Sequence, residues 1–232
     1  MPEAKAIPHP AATLILIRDG THGAEILLVR RAAALSFHGG AWVFPGGRID
    51  DDDRRAAGDP ADVRGAARHA AVREAQEEAG VAIDRDSLVL LSRWITPEAL
   101  PKRFDTWFFA APARDQAVCV DGGEIDDHRW MRAEEALAAQ SRSEIELPPP
   151  TFVTLTQLTG RTSLDDTLNA LRQRPFICYE PRLVVVPGGA CTLYAGDAGY
   201  ESGDVDHPGP RHRLWILESG WRYDCSVEAS GG

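Results

Sequence analysis

The segment Arg73-Glu-Ala-Gln-Glu-Glu-Ala-Gly80 limits what this chain can build more than any other stretch, because it places three carboxylates on one side of a helix. Ala, Arg, Glu and Gln are strong helix formers and Gly80 is a natural stop, so the pattern predicts a helix over about 65–79. An apolar stripe of Ala67, Ala71, Val72 and Ala75 runs along it. Glu74, Glu77 and Glu78 fall at i, i+3 and i+4, where side chains are neighbours. Like charges at that spacing destabilise a helix by roughly a few tenths of a kcal/mol per pair, so the arrangement is best explained by a cation among them. Mg²⁺ suits such a patch, since it takes hard oxygen ligands and is usually shared between carboxylates and substrate phosphate oxygens. The competing reading is a solvated face whose acids pair with Arg68 and Arg73.

Around this helix the chain reads as a mixture of strands and helices without strict alternation. Apolar runs at 11–18 and 25–30, separated by Asp19-Gly-Thr-His-Gly23, predict a β-hairpin. Residues 42–44 read as a strand that Pro45-Gly46-Gly47 stops, and the two glycines predict unusual backbone there. The acidic stretch 50–65 reads as a loop or short helix. Strands follow at 88–94, 103–111 and 128–131, with a helix at 133–140. The run Leu147-Pro-Pro-Pro-Thr151 marks a break before two short helices at 151–158 and 164–171. Beyond Pro181, Gly and Pro turns join a terminal antiparallel meander. The fold class is therefore α/β with a mixed sheet.

Several classes of function are disfavoured. A length of 232 residues suits one buried core with an extension. A net charge of −10 argues against a broad surface for nucleic acid or anionic lipid, and Lys5 and Lys102 are the only lysines. Four cysteines without a C-x-x-C pair provide neither a zinc ribbon nor a dithiol motif. The N-terminal apolar run, 14–17, is too short for a signal core or a membrane span, and a cytoplasmic location is expected. The acids at 50–53 lack the pattern of an EF-hand.

Phe44-Pro-Gly-Gly47 upstream and Arg73 to Val81 downstream together resemble the Nudix box, G-x5-E-x7-R-E-U-x-E-E-x-G-U, of the Nudix hydrolases. That resemblance implies an α/β/α sandwich over 1–158, with an insertion at about 51–65, and a C-terminal β-rich extension over 159–232. Two departures stand out. Asp53 occupies the place of the first box glutamate, and nineteen residues, where the pattern has seven, separate it from Arg73. No ligand role is carried to Asp53. The resemblance implies Glu74, Glu77, Glu78 and the Gly46 carbonyl as ligands of Mg²⁺ or Mn²⁺, and Arg73 as the residue that orients the glutamates. Glu124 is similar to a downstream acid used as an extra ligand or general base, with a solvated turn acid as the alternative. Either Glu77 or Glu124 would then accept the proton of the attacking water, and Gly47 would touch substrate.

Residues 27–47 partly resemble a coenzyme A signature, through Leu27, Leu28, Arg31, Ala32, Gly40 and the Pro-Gly-Gly loop, with Val29 and Ser36 where Thr and Arg are usual. The box insertion, Arg103-Phe-Asp-Thr-Trp-Phe-Phe109, Asp121-Gly-Gly-Glu124 and the proline run resemble the peroxisomal acyl-CoA diphosphatase subgroup. This implies cleavage of CoA or acyl-CoA to 3′,5′-ADP and (acyl-)phosphopantetheine, with Arg31, Arg103 and Phe104 as substrate contacts. Phe104, Trp107 and Phe108 would stack a base or line an acyl pocket, but aromatics on a strand are more often core, and the core reading leads. The terminal Ala-Ser-Gly-Gly is no peroxisomal address. The alternatives are another diphosphate, such as ADP-ribose, a nucleotide sugar or a dinucleoside polyphosphate, and a non-catalytic nucleotide-binding module. Residues 159–232 are left with three roles: a cover for a sheet edge, a pocket wall or a homodimer contact.

Overall fold

The structure is a computed structural model that describes residues 6–35, 38–59, 61–113, 117–120 and 122–226; Lys5, Ser36, Asp121 and the terminal 229–232 segment lie outside the described residues. Strands β1 (His9–Gly20) and β2 (Gly23–Arg31) form the expected hairpin, closed by Thr21 and His22 between the Gly20–Gly23 pair. Next come β3 (Trp42–Val43), β4 (Gly46–Arg48), α1 (Asp51–Ala56) and α2 (Val63–Ala79). Strands β5 (Val89–Ile95), β6 (Phe104–Pro112) and β7 (Ile125–Met131) precede α3 (Ala133–Ser141), α4 (Pro149–Gln157) and α5 (Leu164–Arg172). A short β8 (Ile177–Tyr179) leads into β9 (Arg182–Val186), β10 (Gly189–Leu193), β11 (His212–Leu217) and β12 (Gly220–Cys225).

The first sheet is mixed, in the order β3-β2-β1-β6-β5-β8, with β4 joined to β1 and β7 to β2. Its β1–β6 and β5–β8 pairs are parallel and the others antiparallel. Both faces are covered, which explains why β1 reads as a continuous apolar run and not as an alternation. Leu14 and Leu16 face one cluster with the alanines of α2, while Ile15 and Ile17 face the other with α3, α4 and α5. This is an α/β/α sandwich. The buried face of α2 is made of Ala66, Ala67, Ala70, Ala71, Ala75 and Ala79, whose small side chains let the helix lie close on the sheet. Gly80 ends α2 in the left-handed region, at φ 69°, as expected of a stop.

Three local expectations are corrected. The strand at 42–43 does end before Pro45, but the glycines are not outside strand structure: Gly46 and Gly47 belong to a separate strand, β4, opposite Thr13 and Ala12 of β1. Neither glycine has a positive φ, so the unusual backbone expected there is absent. The need is for space, since a Cβ on Gly46 would collide with the Ala12 carbonyl oxygen. The proline run begins a helix, with Pro148 as its N-cap and Pro149 in the first turn, where a missing N–H has no cost.

The four strands β9 to β12 form a second, antiparallel sheet in sequence order, the predicted meander. The first sheet also draws on this region, because β8 pairs with β5 and α5 packs against β5, β2 and β6. An aromatic joint ties the two sheets together. Trp94 stacks on Tyr179 at 3.8 Å between centroids, and Tyr194 meets both edge-on. The loop between β10 and β11 is pinned by a buried bidentate pair, Arg213 Nε to Asp197 Oδ2 at 2.7 Å and Nη2 to Oδ1 at 2.6 Å.

The alanine face of α2 has no room for a larger group. Ala71→Leu is expected to destabilise the protein by about 1–3 kcal/mol through overpacking against β1, read as a lower urea midpoint at unchanged slope.

Candidate active site

A cavity of about 820 Å³ opens beside β4, bounded by the first sheet, the proline-led first turn of α4 and the second sheet. Its charged end is built where α2 meets β4. Helix α2 turns Glu74, Glu77 and Glu78 toward this region, but to different depths: Glu78 is buried, Glu74 nearly so, and Glu77 is 58% exposed.

Arg73 organises the acids. Its Nη1 donates to Glu74 Oε1 at 2.9 Å and to Glu77 Oε2 at 2.8 Å. Its Nη2 donates to Asp53 Oδ2 at 2.8 Å and to the Arg48 carbonyl oxygen at 3.0 Å, and Nε reaches Asp53 Oδ1 at 3.3 Å. The hydrogen bond to Asp53 is the largest reason that the guanidinium is held more firmly protonated than usual. Asp53 is buried, and it also closes the capping box of α1 with Asp50. The interrupted pattern is thus rejoined in space across twenty positions. Arg68, the other cation offered as a partner for these acids, instead donates to the Arg85 carbonyl oxygen at 2.6 Å.

The glycines of β4 let the glutamates in. Gly46 N–H donates to Glu78 Oε2 at 2.8 Å, and a Cβ on Gly47 would overlap the Glu74 carboxylate. Burial pushes the Glu78 carboxyl up to about 8, against the Gly46 N–H bond, with Glu74 and Glu124 adding to the rise and Arg31 opposing it. Burial also raises Glu74, which Arg73 opposes and the Glu77 and Glu124 charges reinforce. Glu124, which immediately precedes β7, lines the same cavity as Glu74 and Glu77.

The other expected contacts divide. Arg31, Gly46, Gly47 and Phe104 line the cavity. Arg103 does not: its guanidinium is buried and donates to the carbonyl oxygens of Thr96 (3.0 Å) and Ala6 (2.9 Å), so it is a structural tie and not a substrate contact. Strand alternation separates Phe104 and Phe108, at the cavity, from Trp107, which packs on the opposite face beside Phe176 and Arg93. Arg48 and Lys102 also reach the cavity and were missed. Arg48 directly follows the Pro-Gly-Gly segment, the one signal that marked it. Leu183, Tyr194 and Ile216, from the second sheet, were missed as well.

Among the described residues no three His, Cys, Asp or Glu side chains form a ready cage for a metal ion, and Arg73 Nη1 donates to both Glu74 and Glu77. The donor chemistry nonetheless fits a hard divalent cation: clustered carboxylates, one of them buried with a raised proton affinity, in a cradle that a side chain at Gly47 would fill.

Comparison with known proteins agrees with this architecture. Residues 8–149 match the family described as NUDIX domain. The chain is 24% identical over 226 residues to putative nudix hydrolase 7 of Caenorhabditis elegans, covering 82% of this chain and 74% of that protein. Over 81 residues it is 40% identical to the peroxisomal coenzyme A diphosphatase ndx-8 of the same organism, a match spanning 34% of this chain and 30% of that protein. A crystal structure of a NUDIX hydrolase from Alicyclobacillus acidocaldarius superposes with a TM-score of 0.67 at 26% identity, covering 74% of this chain and all of that one. The NUDIX domain of Shewanella oneidensis NrtR, solved with ADP ribose, shares the fold at a TM-score of 0.51 and 17% identity, covering 68% of this chain and 90% of that one.

The buried Glu78 sets a stability prediction. Its folded proton affinity lies above the ordinary carboxylate value of 4.5, at about 8, so ionising it opposes folding. Without divalent metal, stability is therefore expected to fall as pH rises from about 4.5 to about 8. Glu78→Gln keeps an acceptor for Gly46 N–H and removes that slope. In EDTA the variant should melt above wild type at pH 8, by about 2–4 °C per kcal/mol recovered, with the difference closing toward pH 4.5.

Proposed function

This chain belongs to the NUDIX family and is a hydrolase, and from that premise we propose that it cleaves the diphosphate of CoA or acyl-CoA to 3′,5′-ADP and (acyl-)phosphopantetheine. The observation that carries the reading is the gathering of Glu74, Glu77 and Glu124 with Arg31 and Arg48 at one end of a single cavity. Such an end offers both the acids that hold a cation and the guanidinium groups that hold phosphate oxygens.

Glu74, Glu77 and Glu78, with the Gly46 carbonyl, would hold Mg²⁺ or Mn²⁺. A divalent ion bound there neutralises diphosphate charge and makes a water more acidic. The remaining work falls to the chain. Arg73 fixes the carboxylates of Glu74 and Glu77 and is itself held by Asp53 and the Arg48 carbonyl. Arg31 and Arg48 orient the diphosphate by paired N–H donors. Glu77, the most exposed of the helix acids, or Glu124 accepts the proton of the attacking water at a carboxylate oxygen. The CoA assignment is supported by the similarity to the C. elegans CoA diphosphatase and by Arg31, the residue of the CoA-like segment that lines the cavity.

Incubation with CoA and Mg²⁺ in H₂¹⁸O, followed by mass analysis, is expected to yield 3′,5′-ADP and phosphopantetheine with one ¹⁸O, the labelled product identifying the phosphorus attacked. If ADP-ribose were the better substrate by kcat/KM, the CoA assignment would be wrong. Between Glu77→Gln and Glu124→Gln, the variant lacking the proton acceptor should lose about 10²–10⁴ in kcat.

Gly47→Ala offers an independent check. The added methyl would overlap the Glu74 carboxylate that Arg73 holds, so kcat should fall by about tenfold or more, as small misplacements at a reacting centre do. Full activity in this variant would show that the position of Glu74 is irrelevant to turnover.

A further inference from the structure

The cavity is divided by origin as well as by chemistry. Its acids and its Arg and Lys side chains come from positions 31–124, within the stretch that matches the NUDIX family. The residues that the second sheet and its approach contribute, Pro181, Leu183, Thr192, Tyr194 and Ile216, carry no charge. They lie in the part of the chain beyond that family match. The first sheet completes the same apolar half with Phe44, Trp94 and Phe108.

We propose that the second sheet is a specificity wall: Leu183 and Ile216, backed by Tyr194, receive an apolar chain carried beyond the far phosphate of the substrate, so that long-chain diphosphate esters are preferred to short ones. This rests on the reading above for the position of the diphosphate, at the acidic end, and adds the chemistry of what lies beyond it. Three observations support it. The apolar half is continuous with the charged half in one cavity, so a single extended ligand spans both. The wall is rigidly held: Tyr194 is fully buried and packed on Trp94 and Tyr179, and the loop that follows it is locked by the Asp197–Arg213 pair. Leu183, by contrast, is 47% exposed at the cavity, apolar surface that an apolar ligand would cover. The wall residues carry no charge, so a charged second moiety would lose water against them without an ion-pair partner.

The test uses a matched pair, ADP esterified on its β-phosphate with methyl or with octyl, so that it does not depend on CoA being the substrate. Binding isotherms of the full-length protein, with Ca²⁺ in place of Mg²⁺, should give the octyl ester at least a tenfold lower Kd. Seven extra methylenes are available, and burying about two suffices for that factor. Leu183→Asp, at a half-exposed position that folding tolerates, should reduce the octyl-over-methyl preference to under about threefold. Ile216→Asp should do the same from the neighbouring strand. Equal affinities in wild type, no binding of either ester, or a preference that survives both substitutions overturns the wall. CoA hydrolysis on the same preparations separates the two claims. An octyl preference without CoA cleavage removes the CoA assignment alone, and CoA cleavage without an octyl preference removes the wall alone.

Discussion

A single guanidinium, that of Arg73, holds together parts of the chain that are distant in sequence. It satisfies a buried carboxylate from α1, two acids of its own helix and a carbonyl of the glycine strand. An uncompensated buried Asp53 would cost several kcal/mol, so α1, α2 and β4 are bound to one geometry. The acids need that restraint, because Glu74, Glu77, Glu78 and Glu124 repel one another and would spread if left to solvent. Arg73 offsets part of their repulsion by bonding Glu74 and Glu77.

The sandwich serves the same end. With both faces of the first sheet buried, α2 cannot rotate without exposing its alanine stripe or forcing Arg73 away from Asp53. The glycine strand then sets the depth: its lack of side chains lets Glu74 and Glu78 come to the backbone, and Gly46 N–H stabilises one of them. Burial and repulsion, opposed by a single backbone donor, leave Glu78 with a raised proton affinity, a condition that a bound divalent cation would relieve.

How much of this was legible in the sequence depended on whether the physical cause was local. The glutamate face of α2 and its glycine stop follow from helical spacing, and the first hairpin from two apolar runs around a glycine turn. Strand β4 was missed because glycines read as breakers, whereas close approach to β1 and Glu74 was the reason for them. The tie between Asp53 and Arg73 spans twenty positions, beyond the reach of any periodicity. Arg103 and Phe104 are adjacent in sequence yet point to different environments, a matter of strand phase that their residue types do not reveal. The cavity role of Leu183, Tyr194 and Ile216 depends on how one sheet is set against another, and no pattern within the strands carries it.

The turn between α1 and α2 has a practical consequence. Asp53 and Arg73 lock the helices on either side of it, and Gly58 projects there into open space at φ +81°. Added length in such a turn costs little closure entropy. The protein therefore has a natural acceptor position for grafted sequence, an epitope or a reporter peptide, that would be displayed outward while the helices beneath keep their register.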